Sequence, residues 1–325
     1  MESKTKNKKS REQIARMAAR AFDGLGLAPG DDAIAELKEG WFNAAYSVRL
    51  ADGREVILKI APPVGADVMQ YEKNIMVTEV ASMRLVRQNP AIPVPLIYCY
   101  DDALDLCDAP YFFMEKIDGD NLEYVKASLP PETQAAVDRQ IGAIIREVNT
   151  FRGTYFGYDG NPDLRGQTWR ETFLKLMETL LEDAARKQAQ FDYSYDDLRA
   201  AALKHAPALE EIPTPCLVHW DAWNPNFFVR DGEVTGIIDF ERALWAEPLM
   251  EAQFRRFGSD EVSEAMRGYG KTTFTFAEEE RNRLYTLHLA LTMNIECYYR
   301  NYDTDEIFNM SRQFIADTMA WLQAN

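Results

Sequence analysis

Leu217-Val218-His219-Trp220-Asp221-Ala222-Trp223-Asn224-Pro225-Asn226, followed by Gly236-Ile237-Ile238-Asp239-Phe240-Glu241, is the stretch that decides how the rest of this chain is read. Asp221 and Asn226 stand five apart on a Pro-containing loop. Asp239 closes a hairpin, Phe227 to Asp239, turned at Asp231-Gly232. Outward from this stretch the chain has two textures. Between about Ala33 and Glu115 the alternation of Tyr46, Val48 and Leu50, the tight turn Asp52-Gly53 and the apolar run Val56 to Ile60 predict a hairpin. A helix over about 69–87 and two strands, Leu96 to Tyr100 and Tyr111 to Glu115, follow it. Beyond Gly119 the pattern becomes amphipathic helices near 132–149, 168–187, 195–206, 247–257, 277–300 and 305–323. The expectation is an α+β chain in two lobes: 1–115, of which 1–30 is a basic leader and helix, a hinge over 116–121, and a helical lobe over 122–325.

The spacing of Asp221, Asn226 and Asp239 is that of a kinase catalytic loop and its metal-binding aspartate. Phosphoryl transfer needs a carboxylate at the acceptor hydroxyl, oxygen ligands for magnesium, and positive charge on the phosphates. Asp221 suits the first task, Asn226 and Asp239 the second. If Asp221 and Asn226 only capped a turn, Asp239 would have no part to play. His219 is expected to brace the loop rather than to react. Trp220 stands where protein kinases carry arginine, and Asp239 is followed closely by Ala246-Glu247-Pro248. The sequence therefore lacks both the basic link to a phosphorylated segment and the room for a long one, which points to a small acceptor.

Lys59 lies in the apolar run Val56 to Ile60, where an ammonium is costly unless it meets phosphate or carboxylate. Its expected partner is Glu79, which shares a helical stripe with Met76, Met83 and Val86; Glu72 is the competitor. The turn from Gly40 to Tyr46, with Asn43 and Trp41, would cover the phosphates. Glu115 and Ile117, with Met114, would set backbone groups against an adenine ring.

With a formal net charge of −16 and a hydrophobic content of 46%, the chain reads as a folded, acidic protein. Acidity on this scale disfavours nucleic acid and anionic membranes, whose recognition depends on Lys and Arg. There is no apolar run long enough to span a bilayer and no secretory signal, and Cys99, Cys107, Cys216 and Cys297 form no CxxC pair. A cytoplasmic protein with free thiols is expected.

The sequence resembles the aminoglycoside phosphotransferase family. The resemblance rests on Val218-His219-Trp220-Asp221 through Asn226, Gly236 to Ala243, Ile92-Pro93-Val94-Pro95, and Phe113-Met114-Glu115 with Gly119. It implies a β-rich lobe, a hinge and a helical lobe, with ATP, or GTP as the alternative, and Mg2+ in the cleft. It also implies an antibiotic or metabolite hydroxyl as acceptor. By that likeness Asp221 would be the base, Asn226 and Asp239 the metal ligands, and Lys59 with Glu79 the phosphate anchor. Trp220 departs from the glycine common after that histidine. Tyr155, Phe156, Tyr158 and Asp159, with Glu247, Glu251, Glu296 and Tyr299, are expected to line the acceptor side and to draw in a cationic, hydroxylated molecule. The other class of function is a catalytically inactive kinase-like module that only binds a ligand; its mark would be loss of the base, a metal ligand or the lysine, and all are present.

Overall fold

The computed structural model describes residues 6–325 apart from 39, 41, 256–260, 301 and 303. After helix α1 (Arg11–Ala21), which starts in a capping box between Ser10 and Gln13, come strands β1 (Ile34–Leu37), β2 (Ala44–Arg49) and β3 (Glu55–Ile60). Helix α2 (Ile75–Val86) and strands β4 (Ile97–Asp101) and β5 (Tyr111–Glu115) complete a five-stranded antiparallel sheet of order β1-β2-β3-β5-β4. On β2 and β3 every second side chain is buried, so Tyr46, Val48, Val56 and Leu58 face the core while Lys59 faces the other way.

Short elements β6 (Asp120–Asn121) and α3 (Leu122–Val125) lead to the long helices α4 (Pro131–Val148), α5 (Trp169–Arg186) and α6 (Tyr195–His205). Strand β7 (Cys216–Val218) precedes the Asp221 loop, and β8 (Phe227–Arg230) and β9 (Glu233–Ile237) form the expected hairpin. Its turn uses positive φ at Asp231 and Gly232, the conformation that twists as the strands do. Strand β10 (Leu244–Ala246) pairs back onto β7, and α7 (Glu264–Tyr269), α8 (Phe276–Arg300) and α9 (Glu306–Ala324) finish the chain. The helix expected over 247–257 is absent as far as the described residues run. Pro248 and Ala252 instead open two separate 3-10 turns, 248–250 and 252–254. Between them Glu251 is extended, with its carboxylate turned inward to backbone N–H groups, and such a residue cannot also continue a helix.

The apolar core is in two masses, and the Asp221 loop hangs between them. One mass joins the sheet and α2 to α4, Leu217, Phe227, Ile237 and Phe240; the other joins α5, α6, α8 and α9 to Val218 and Trp220. Consecutive β7 residues thus point into different cores, which fixes the strand on both faces. No described helix is long and apolar enough to cross a membrane, and all four cysteines are free.

Candidate active site

The Asp221 loop is held in shape by hydrogen bonds that its own sequence supplies. Asn226 Nδ2 donates to the Asp221 carbonyl at 2.8 Å and to Asp221 Oδ2 at 3.3 Å, while Trp223 N–H donates to that carbonyl at 3.0 Å. The Ile238 N–H donates to the Asn226 carbonyl at 3.0 Å, so the amide and Asp239 are tied together across the hairpin. His219 does brace the loop: its Nε2 meets the Ile238 carbonyl at 2.9 Å and its ring packs on Phe240. Burial holds this imidazole well below its usual pKa, at about 4, so it is neutral and Nε2 is the donor. Behind the loop the buried Glu251 carboxylate accepts from His219 N–H at 2.9 Å, Trp220 N–H at 3.0 Å and Asn149 Nδ2 at 2.8 Å.

Backbone strain concentrates here. Asp239 and Trp220 both sit at positive φ, 67° and 65°, a region an L-residue enters at a cost of about 1–2 kcal/mol. A bulky side chain is rare there, which gives a physical reason for a glycine to suit position 220. Trp220 is held by its surroundings, with its ring edge-on to Tyr71 and His288 and beneath the Arg242 guanidinium.

Lys59 reaches from β3 into a knot of acids. Its Nζ lies 2.7 Å from Glu79 Oε1, 2.6 Å from Asp239 Oδ1 and 3.6 Å from Glu241 Oε2. It is Glu79 that Lys59 meets; Glu72 is turned away to Arg300 at 2.5 Å. Burial works against the Lys59 charge, but Asp239, Glu79 and Glu241 together keep its pKa well above the ordinary lysine value. Three carboxylates cannot share one ammonium equally. Asp239, only half-buried, is held below the usual aspartate range by Lys59, whereas burial pushes Glu79 up to about 7 and Glu241 up to about 8. Oxygens of Glu79, Asp239 and Glu241 all lie within 4.8 Å of one another, a donor set suited to a hard divalent cation. The Asp221 carboxyl is raised first by its burial and then by Asp239 and Glu296, with Arg242 pulling the other way.

Asn43, on the turn before β2, is buried and donates to Glu241 Oε2 at 2.6 Å; Trp41 of the same turn lies outside the described residues. Glu115 ends β5 with its N–H on the Leu96 carbonyl. Ile117 packs on Gly236, where an added Cβ would stand 2.4 Å from the isoleucine side chain, so β9 needs glycine at that point.

The residues expected on the acceptor side are not gathered. Glu247 and Glu251 are buried and consumed internally, Glu247 by Arg281 at 2.9 Å and by the Tyr285 hydroxyl, Glu251 by the loop it caps. Phe156 and Tyr158 are core side chains. Asp159 accepts from Tyr155 and from Trp245 Nε1, and the Asn74, Gly160 and Thr78 contacts dock this segment on the start of α2. Tyr299 belongs to an Arg186 and Asp183 cluster. Of the set, Glu296 bears on the Asp221 side chain, through Arg242 at 2.6 Å, while Glu251 holds the backbone of the loop from behind. The reason is general: a carboxylate at an apolar-periodic position is inward-facing, and inside a protein it is paired. Glu241 and Arg242 had no assigned part in the sequence reading. Their signal was two adjacent charged residues, one residue beyond Asp239, inside an otherwise apolar run, Ile237 to Ala246.

Comparison with known proteins fits this geometry. The profile of the phosphotransferase enzyme family matches residues 33–279. A subtelomeric hrmA-associated cluster protein of Aspergillus fumigatus, found in two strains, is 32% identical over 125 residues. That alignment takes in 38% of this chain and 24% of the fungal protein's length. Among solved structures, aminoglycoside phosphotransferase APH(4)-Ia with ADP and hygromycin B superposes with a TM-score of 0.66 at 15% identity, covering 96% of this chain and 99% of that one. The streptomycin–ATP complex of APH(2")-IIa gives 0.60 at 13% identity, covering 98% and 97%. At such identities the likeness establishes the two-lobed kinase-like fold.

Proposed function

The chain belongs to the phosphotransferase enzyme family, and we propose that it transfers the terminal phosphoryl group of ATP, with magnesium, to a hydroxyl of a small molecule. The observation that carries this reading is the convergence of Asp221, Asn226, Asp239, Lys59 and Glu79, from separate stretches of sequence, into one connected set of contacts. Asp221 would accept the acceptor's proton, and Lys59, steadied by Glu79, would hold the phosphates. Backbone groups at Glu115 and Ile117 would meet the adenine, and the turn bearing Asn43 would close over the phosphates. Asn226 and Asp239 would hold magnesium, which would supply positive charge against the phosphates.

The short span between Asp239 and Pro248 supports a small acceptor over a protein one. Among the structural neighbours, hygromycin B is bound by APH(4)-Ia, and streptomycin and gentamicin by APH(2")-IIa. For this chain the acceptor class is a hydroxylated small molecule, either aminoglycoside-like or a sugar or amino alcohol. The test is release of ADP from Mg-ATP, or of GDP from Mg-GTP, across both compound sets. Acceptor-dependent release is expected with one of them; none with either set would overturn the assignment.

A further inference from the structure

Arg242, three residues beyond Asp239, is buried and has no part in the roles given above. Its guanidinium lies 2.6 Å from Glu296 Oε1 and 4.0 Å from Asp221 Oδ2, with the Trp220 ring centroid at 5.6 Å and that of Tyr71 at 5.8 Å. Glu296 also accepts from the Tyr71 hydroxyl at 2.7 Å and pairs with Arg300 at 3.2 Å, and Arg300 pairs with Glu72 at 2.5 Å. The contacts therefore run without a break from the segment before α2, across the C-terminal end of α8, to the edge of the Asp221 carboxylate.

A planar guanidinium set against two aromatic rings and fixed by a carboxylate has few other places to go. One of those rings belongs to Trp220, whose left-handed backbone persists only because its surroundings over-determine it. Strain of that kind beside Asp221 marks a geometry that is held for use. Arg242 and Arg300 together balance Glu296 and Glu72, and of the two it is Arg242 that also comes within 4.0 Å of Asp221 Oδ2.

We propose that Arg242 is a positioning residue for Asp221, held to that task by Glu296 and the Trp220 ring, so that α8 and the segment before α2 set the aim of the base. The kinetic side of this proposal rests on the phosphotransferase reading; the structural side does not.

In ADP-release assays with Mg-ATP and an acceptor that gives turnover, Glu296→Gln should lower kcat roughly ten- to a hundredfold, the cost of an ångström-scale misplacement. KM for ATP should stay within about twofold, since no contact to nucleotide is touched. Arg242→Lys keeps the charge but loses the planar fork, so it should lower kcat as much, and the double variant should fall no further. Losses that multiply in the double variant, or a KM that rises while kcat holds, would overturn the proposal. The second arm is a crystal structure of the full chain carrying Glu296→Gln. Arg242 and the Asp221 carboxylate should move together; Asp221 left in its present rotamer while Arg242 moves overturns the proposal. A wild-type chain silent with every acceptor would sink the kinase reading, yet the crystal structure would still decide the positioning. Should Glu296→Gln not fold, Trp220→Phe, which shortens one wall and keeps every charge, is read in both arms with the same outcomes.

Discussion

Two buried clusters of charge flank the Asp221 loop, and they differ in balance. Around Lys59, three carboxylates, Glu79, Asp239 and Glu241, face one ammonium. Around Arg242, two carboxylates, Glu72 and Glu296, face two guanidiniums, and the Tyr71 hydroxyl satisfies a further lone pair. The second cluster is balanced in charge as it stands, although the buried Arg300 Nε has no hydrogen-bond partner among the described residues, and a charge-balanced network calls for no further ion. The first has acidic oxygens in excess, and burial has raised the pKa of two of its members. An uncompensated buried charge is expensive, so a cluster left short of cations is a place where a cation belongs. On the proposed function, incomplete balance marks the place where the cation would bind, and charge balance the frame that would hold it.

The comparison breaks most visibly at Asp239. Asp239→Ala removes the carboxylate that Lys59 holds ionised and that is proposed to bind metal, and turnover should fall below detection at saturating Mg-ATP. Retained turnover would mean that Glu241 or Glu79 holds the metal instead. Next in size, Lys59→Ala and Glu79→Ala should impair the same step and combine less than additively, with a coupling of about 1–3 kcal/mol in a double-mutant cycle. Glu72→Ala should show no such coupling to Lys59, because its partner is Arg300. A coupling between Glu72 and Lys59 would merge the two clusters into one.

On the frame side, Glu247→Ala should leave KM for the acceptor unchanged and lower stability by about 3–5 kcal/mol, the cost of taking one of its two carboxylate partners from the buried Arg281, which keeps Glu211, and of leaving the buried Tyr285 hydroxyl without its acceptor. Urea denaturation and acceptor KM measured on the same variant separate the two; a raised KM with intact stability would return Glu247 to the acceptor side. The smallest effect is a pH effect. Burial, with Arg255 adding to it, depresses the His288 imidazole to about 3. The unfolded chain takes up that proton near pH 6.5 and the folded chain does not, so this contribution is whole above about pH 6.5 and drains away as pH falls toward 3. His288→Phe should therefore spare about 2–3 kcal/mol of the stability lost between pH 7 and 4.5. An unchanged loss between those two pH values would show that the imidazole is already protonated in the folded chain.

The two clusters also mark what the sequence could reveal. Lys59, Glu79, Asp221, Asn226 and Asp239 were legible because each is a polar group at a position where periodicity or motif spacing makes a polar group conspicuous. The strands and the long helices were legible for the same reason in reverse, through uninterrupted patterning. The Arg242 cluster was hidden because its members lie far apart in sequence, Glu72, Arg242 and Arg300, and only the packing of α8 against the segment before α2 joins them. Glu247 and Glu251 looked like acceptor ligands because charge alone does not tell which way a side chain points. The 247–257 helix failed because a Pro-opened turn and an inward carboxylate outweighed the apolar spacing.

The most direct test replaces one atom set at the centre. With Mg-ATP and the acceptor that gives turnover, Asp221→Asn keeps the loop's shape but cannot take a proton, and kcat should fall roughly 10²–10⁴-fold while ATP still binds. Acceptor-dependent ADP release that continues undiminished in Asp221→Asn would contradict the account, because a group other than the proposed base would then be accepting the proton.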